Sequence, residues 1–542
     1  MTDEKRMNDR CGARNDSLIM TNPMQRSSFF LDISNKCSYN ELMITEERTP
    51  DGVNRKQTPV FISEYSTEEK LQILADAAKY DVACTSSGVD RKGQKGALGN
   101  SCAAGVCHSF AADGRCISLL KILYSNDCVY DCKYCQSRCS NQVRRATFDP
   151  DELCRLTIEF YKRNYIEGLF LSSAVVKNPA FTMERICETL FLLRTKYHFN
   201  GYIHVKSIPG APDDLLELAG LLADRMSINM ELPTAQGLKL LAPNKSQKSI
   251  FDAMGKMTDT IAAHRLAIGK DVRMERSGIN AHLTNSIFNK QNQLDGELEK
   301  RIGHNLPAVI NDMKMQRSFA PAGQSTQMII GATPETDLAL IQTIQKLYQL
   351  YDLKRVFFSA YIPINEDPLL PDPGTPVPLL REHRLYQADW LMRYYGFQSD
   401  ELLSEENPFF NELVDPKCDW ALHHLNLFPV EVQTASMDVL LRVPGIGPKS
   451  ARRIMDARRY ERLTYEGLKK MGVVLKRAHY FILVNGRQMF RTPIEQEYIL
   501  RQLTGVNSGE NWQIAHQNEE FYQMSIWDYL SGSSGKKGIA GT

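Results

Sequence analysis

Residues Ile117–Arg138 read ISLLKILYSNDCVYDCKYCQSR: an apolar run ending at Tyr124, then three cysteines, Cys128, Cys132 and Cys135, spaced C-x3-C-x2-C. A short apolar run bounded by turn residues reads as a buried strand, so the cysteines fall in the loop just past its carboxyl end. Three soft ligands on one loop cannot fill a four-ligand metal site alone. The pattern predicts a centre with one position left open for chemistry, at the end of the strand where barrels build their active sites.

Five more apolar runs follow, Gly168–Ser172, Tyr202–Val205, Met226–Glu231, Gln327–Ile330 and Val356–Tyr361. Helical patterns lie between them: Asp149–Tyr165, Pro179–Tyr197, Pro212–Ala223 and Pro334–Tyr351. In the first, Asp149 caps and Pro150 takes the opening helical position, and the other three repeat the device. This alternation predicts an α/β fold, a partial (β/α)6 TIM-like barrel over residues 117–395 with a polar insertion at 271–305. Asp367–Pro378 is a proline-stiffened loop, and a helix Arg384–Tyr395 follows with Leu385, Ala388, Leu391, Met392 and Tyr395 on one side.

Outside the barrel, residues 1–65 are polar and aperiodic and are expected to be disordered. Residues 66–116 hold a short helix capped by Ser66 and Glu69, then a Gly- and Cys-rich loop, 84–115, too rich in breakers for a regular element. Residues 396–430 read as a linker, 431–485 as an all-α domain and 486–542 as a polar, frayed tail.

The chain has 542 residues, 65 basic against 64 acidic, so net charge does not announce a polyanionic partner. There is no apolar stretch of about 18 residues to span a membrane and no apolar signal core at the start, which predicts a soluble, cytoplasmic protein. The 13 cysteines, an odd number gathered mostly between Cys84 and Cys154, fit metal or redox use in a reducing compartment.

Val443–Ala451 reads VPGIGPKSA. Gly445 and Gly447 permit a tight turn, and the next helix starts with exposed backbone amides suited to a phosphate oxygen. Leu440–Tyr480 holds eleven Lys or Arg against three Asp or Glu, a net +8. Such contacts grip a backbone without reading bases and weaken steeply with salt.

The cysteine spacing, with Tyr134 immediately before the third cysteine, resembles the signature of the radical S-adenosyl-L-methionine (SAM) enzymes. The resemblance implies a 4Fe-4S cluster held by Cys128, Cys132 and Cys135, whose open iron binds the amino and carboxylate groups of SAM and whose electron cleaves it to a 5′-deoxyadenosyl radical. It further implies that Tyr134 lines the adenine, that Ser172 and Ser173 hold the amino end, that Asn229 and Glu231 contact ribose and amino group, and that Gly331, in the turn Gly331–Thr336, packs on the adenine. The two serines depart from the commoner pattern of two glycines and a glutamate.

Val443–Ala451 resembles the helix-hairpin-helix motif of DNA repair and recombination proteins. The match implies an all-α C-terminal helix-hairpin-helix domain in which Gly445, Gly447, Lys449, Ser450 and Arg452 contact DNA, with Met471–Ala478 (MGVVLKRA) as a degenerate second hairpin. Barrel and hairpin together, with Tyr80–Gly96, Gly105–Phe110, Asp113–Lys121 and Arg381–Leu391, resemble the radical SAM proteins of DNA modification or repair from about Lys70 to Leu483. That family implies duplex DNA as substrate, a reductant such as flavodoxin or ferredoxin, and a uracil-DNA-glycosylase-like partner. The rivals are an RNA-modifying radical SAM enzyme of methylthio- or methyltransferase type and a non-enzymatic iron-sulfur scaffold on DNA. Cys84, Cys102, Cys107, His108, Cys116 and Cys139 are either ligands of an auxiliary cluster or free thiols. Arg381, His383 and Arg384 could meet phosphates near the barrel mouth.

Overall fold

The computed structural model describes residues 65–78, 106–110, 116–267 and 319–504, with the backbone alone for 106–110, 116–117 and 266–267. The expected disordered extension, Cys84, Cys102, the insertion 271–305 and the tail past 504 lie outside the described residues.

Helix α1 (Thr67–Ala78) opens on the expected reciprocal cap, with Ser66 N donating to Glu69 Oε2 at 2.9 Å and Glu69 N to Ser66 Oγ at 3.3 Å. Strands β1 (Val106–Phe110) and β2 (Cys116–Leu123) form an antiparallel pair. From β2 on, every strand of the sheet is parallel to the one before it and lies beside it: β3 (Gly168–Ser172), β4 (Tyr202–Lys206), β5 (Arg225–Ser227), β6 (Gln324–Ile330) and β7 (Arg355–Ala360). The crossovers carry α2 (Pro150–Lys162), α3 (Pro179–Thr195), α4 (Asp213–Leu222), the pair α5 (Ala235–Leu241) and α6 (Gln247–Ala267), and α7 (Asp337–Tyr351). A sheet that adds neighbours in sequence order through one-handed crossovers keeps its helices on one face, and it buries the other by curling. The six parallel strands are the expected (β/α)6 set.

Local chemistry explains the helix starts. Asp149 accepts from Asp151 N, Glu152 returns a bond to Asp149 N, and Pro150 sits where its missing N–H costs nothing. Asn178 and Pro179 repeat the device for α3. It fails for the other two helices: Pro212 is itself the cap residue of α4 without a side-chain bond, and α7 starts three residues beyond Pro334, capped by Thr336.

Three other expectations need correction. The breaker-rich segment contains β1, because a pentad such as VCHSF needs only an existing edge, here β2, to become a strand. The fourth run, Met226–Glu231, leaves the regular ladder after Ser227. Ile228 N donates to Ser325 O and Glu231 N to Gln327 O, so three residues on one side face two on the other. That is a β-bulge, and it turns Glu231 to φ 65°. The helix after the proline loop, α8 (Leu379–Tyr395), begins five residues earlier than expected.

The free edge of β7 is sealed by side chains. Val356 N donates to Tyr348 Oη (3.0 Å), Phe358 N to Tyr386 Oη (2.9 Å), and Ala360 N to Glu382 Oε2 (2.6 Å), while Tyr386 Oη donates back to Phe358 O (2.9 Å). Alternate residues of the strand thus find partners on α7 and α8, as an unpaired edge requires. Burial pushes the Glu382 carboxyl up to about 7, against the opposing pull of the Ala360 amide. A carboxyl raised in the folded state contributes stability that is full below the unfolded value near 4.5 and is lost as pH rises through 7, up to about 3 kcal/mol. Glu382→Gln keeps the acceptor and removes the titration. Denaturant midpoints should therefore match wild type near pH 4 and exceed it at pH 8; parallel profiles would exclude this account.

Past the barrel, residues 396–430 are packed rather than a bare tether. They hold α9 (Ser399–Leu402) and α10 (Pro416–His423), and they bury Phe397, Phe410, Cys418 and Trp420 in the same core as the barrel. Then come α11 (Met437–Arg442), α12 (Pro448–Ala457), α13 (Tyr465–Lys470) and α14 (Leu475–Ala478), bracketed by a two-residue parallel ladder of Val430–Glu431 with Ile482–Leu483. The expected tail contains one more helix, α15 (Gln496–Thr504), anchored by the buried Ile499. No described helix is long and apolar enough to cross a membrane.

Candidate active site

The loop bearing the cysteines is pinned from both sides by its own chain. Arg145 donates to the carbonyls of Asn126 and Arg138 at 2.6 Å, Ser137 at 2.8 Å and Asn141 at 2.9 Å. Four carbonyls around one side chain call for the planar five-donor fork of arginine. Asn365, just ahead of the proline loop, donates to the carbonyls of Lys133 (2.7 Å) and Cys135 (3.0 Å), and Lys133 Nζ lies 3.1 Å from Asp367. Lys133 N donates to Leu241 O at the end of α5 (2.7 Å). The loop after β2 is therefore tied to the ends of two other barrel units.

Cys132 is buried, Cys128 and Cys135 are half-buried, and Cys139 is exposed. Burial raises the Cys132 thiol and pushes Cys135 up to about 12. A lysine ammonium stands against this. Lys245 Nζ lies 2.9 Å and Lys206 Nζ 3.9 Å from Oε1 of the buried Glu231. Burial works most strongly against the charge on Lys245, but the charge and hydrogen bond of Glu231 together with Tyr134 and Cys132 outweigh it and hold the ammonium well above the usual lysine range. The Lys245 ammonium favours the thiolates of Cys132 and Cys135, while the Glu231 carboxylate opposes that of Cys132. The Tyr134 ring packs on a small apolar group of Leu232, Leu241, Ala332, Tyr361 and Leu370, and Lys245 Nζ lies 6.0 Å from its centroid.

The rim at this end of the sheet holds buried polar atoms without hydrogen-bond partners: Tyr134 Oη and Gln136 Oε1 after β2, Ser172 Oγ on β3, Ser207 Oγ after β4, Thr333 Oγ1 after β6 and Tyr361 Oη after β7. Each such atom costs about 1–3 kcal/mol. A polar ligand at this end would supply these missing bonds; Arg225 Nε, Ser325 Oγ and Arg355 Nε are likewise unpartnered toward the opposite ends of β5, β6 and β7. Among the described residues no three cysteine, histidine or carboxylate side chains already surround one point at ligand spacing.

The other expected residues divide. Glu231 and Ser172 lie at the rim, and Asn229 is buried there with Nδ2 donating to Gln327 Oε1 at 3.2 Å. Gly331 has φ 86°, and a Cβ on it would lie 2.8 Å from Pro378 Cγ. Ser173 spends its hydroxyl on the carbonyl of Ala174 (2.7 Å). Arg381 bonds Asp337 and the Glu335 carbonyl, and Arg384 the carbonyls of Asn411 and Glu412, so both guanidiniums tie loops down instead of facing the mouth. Lys206, Lys245, Arg145 and Asn365 were not anticipated. Lys206 ends a strand, as Ser172 does, and that position was its only signal.

The C-terminal helices form two tight pairs, α11 with α12 and α13 with α14. Each pair turns through a glycine at positive φ, Gly445 at 85° and Gly472 at 89°. The turns meet: Val474 N donates to Gly445 O at 2.9 Å. Gly447 is the cap residue of α12 with no side-chain bond to the helix amides, and Lys449 and Arg452 are exposed beside it. Ser450 does not fit the expected phosphate role. It is buried, with its Oγ 3.3 Å from where a Cβ on Gly472 would stand, in the seam between the turns. Beneath the first turn, the buried Lys417 donates to Ile446 O at 2.6 Å.

No protein-family model and no curated protein matches this chain. Two solved structures are similar to it: HydG, a maturase of the FeFe hydrogenase, at 13% identity over 72% of this chain and 82% of that one with a TM-score of 0.31, and methylornithine synthase (PylB), at 13% over 73% and 83% with a TM-score of 0.29. Likenesses this distant add nothing to what the geometry itself supports.

Proposed function

We propose that this chain is a radical SAM enzyme that modifies or repairs a nucleotide in DNA. One observation carries the reading: Cys128, Cys132 and Cys135 share a pinned loop at the carboxyl end of an open parallel barrel, beside the Lys245–Glu231 pair and unpartnered polar atoms at the strand ends. A bound 4Fe-4S cluster with SAM supplies one-electron cleavage of the sulfonium and removal of a hydrogen atom from a substrate. Toward that group the three cysteines are the protein ligands, and Arg145 and Asn365 fix the loop that presents them. Ser172, Asn229, Glu231 and Lys206 offer polar contacts to the amino acid and ribose parts of SAM, and Tyr134 with the Gly331 turn offers apolar surface to the adenine.

DNA enters the reading through the C-terminal helices, whose paired glycine turns fit a double helix-hairpin-helix grip on a duplex backbone. Lys449 and Arg452 supply charge beside the open amides of α12. A flavodoxin- or ferredoxin-like reductant and a uracil-DNA-glycosylase-like partner belong to the same reading. The test is deoxyadenosine formation by anaerobically reconstituted protein with reductant and SAM, with and without duplex DNA. Formation stimulated by duplex is expected; formation indifferent to duplex, or none from iron-loaded protein, would overturn it.

A further inference from the structure

The two halves of the proposed enzyme meet along α8. At its start, Pro378 abuts Gly331 on the barrel rim and Glu382 reaches Ala360, the last residue of β7. At its end, Arg393 Nη1 lies 3.4 Å from the carbonyl of Lys354, just before β7 begins. The glycine turns attach at this far end. Arg442 donates to the carbonyls of Tyr395 (3.0 Å) and Gly396 (3.2 Å), and Tyr395 Oη is 3.4 Å from where a Cβ on Gly447 would stand. The hairpins therefore sit at the foot of the barrel, and the mouth lies one helix away. Seventeen residues at 1.5 Å rise span about 25 Å, or about seven base-pair steps at 3.4 Å.

The inward face of α8 is occupied by the ladder to β7 and by the core. Its outward stripe, His383, Gln387, Trp390 and Tyr394, runs the whole length between rim and hairpin. Trp390 and Tyr394 are each 49% exposed with ring centroids 4.2 Å apart, and the Arg393 guanidinium lies 4.9 Å from the Tyr394 ring. Two half-exposed rings, packed on each other with planes tilted by 44°, flanked by hydrogen-bonding side chains and leading away from a segment of net charge +8, match a ligand that is flat and apolar in its bases and anionic in its backbone. In a duplex the base faces are already stacked on one another, so an aromatic platform gains only from unpaired ones.

We propose that the outward stripe of α8 binds an unpaired stretch of DNA between hairpin and mouth, with Trp390 and Tyr394 as its stacking platform. The inference rests on the DNA reading above and narrows its substrate to DNA that is locally open. The test uses the full chain and a fluorescein-labelled duplex, either fully paired or with about seven unpaired nucleotides. Wild type should bind the opened duplex about tenfold more tightly. Trp390→Ala combined with Tyr394→Ala should erase that gain and leave affinity for the paired duplex unchanged, whereas Trp390→Phe should retain most of it. Equal binding of both duplexes by wild type, or equal weakening of both by the double variant, would overturn the platform. If Lys449→Glu weakens both duplexes while the aromatic variants change nothing, the platform alone fails. If wild type binds neither duplex, the DNA reading fails with it.

Discussion

Cys132→Ala should abolish the visible iron-sulfur absorption of reconstituted protein and all deoxyadenosine formation, while duplex affinity stays within about twofold of wild type, as for an independent distant site. Cys132 is the buried member of the motif, and its neighbours are fixed by bonds that do not involve its sulfur: Arg145 to four carbonyls, Asn365 to Lys133 and Cys135, and Lys133 N to Leu241. Losing the thiol removes a ligand and leaves the loop in place. Iron and sulfide analysis beside a melting curve separates ligand loss from unfolding. A variant that keeps its cluster would show that another thiol, with Cys139 nearest on the same loop, can take over. A variant that loses duplex affinity would show that the two sites are coupled through the fold.

Gly445→Ala should cost about 3 kcal/mol or more in the C-terminal helices and lower duplex affinity at least tenfold, whereas Gly447→Ala should cost under about 1 kcal/mol. A motif read from sequence treats the two glycines alike. The structure does not. Gly445 has φ 85°, a region costing an L-residue roughly 1–2 kcal/mol, and an added Cβ would sit 2.6 Å from Val474 O and 3.1 Å from Ala478 N. Both atoms are backbone of the facing turn, so relief requires the turns to part and the bond from Val474 N to Gly445 O to break. Gly447 has φ −99°, and the nearest atom to its Cβ would be Tyr395 Oη at 3.4 Å. Thermal melts and anisotropy titrations at two salt concentrations measure both terms. Equal effects from the two substitutions would mean that the seam does not hold the grip together.

What could be read from residues alone was what short-range chemistry decides. The six apolar runs, the caps at Ser66, Asp149 and Asn178, and the cysteine loop beyond the first barrel strand all depend on neighbours within a few positions. What escaped depends on partners far along the chain. β1 exists because β2 offers an edge, and Glu231 is aimed by an extra residue opposite β6. Lys245 reaches Glu231 from the turn after α5, a juxtaposition that no spacing rule reports. Ser450 stands inside the hairpin pattern, between its fixed Lys449 and Ala451, but lies buried, because a second turn, itself only faintly visible in sequence, closes over it. The packed stretch 396–430 read as a linker because its buried aromatics are spread too thinly to show a period.

The side-chain ladder along β7 has a consequence for how copies of this protein behave at high concentration. Its amide groups at Val356, Phe358 and Ala360 are already engaged by Tyr348, Tyr386 and Glu382, so that border gives a stray strand from a neighbouring molecule little to zip onto. The parallel sheet can therefore end at β7 without exposing an unpaired strand border along those amides.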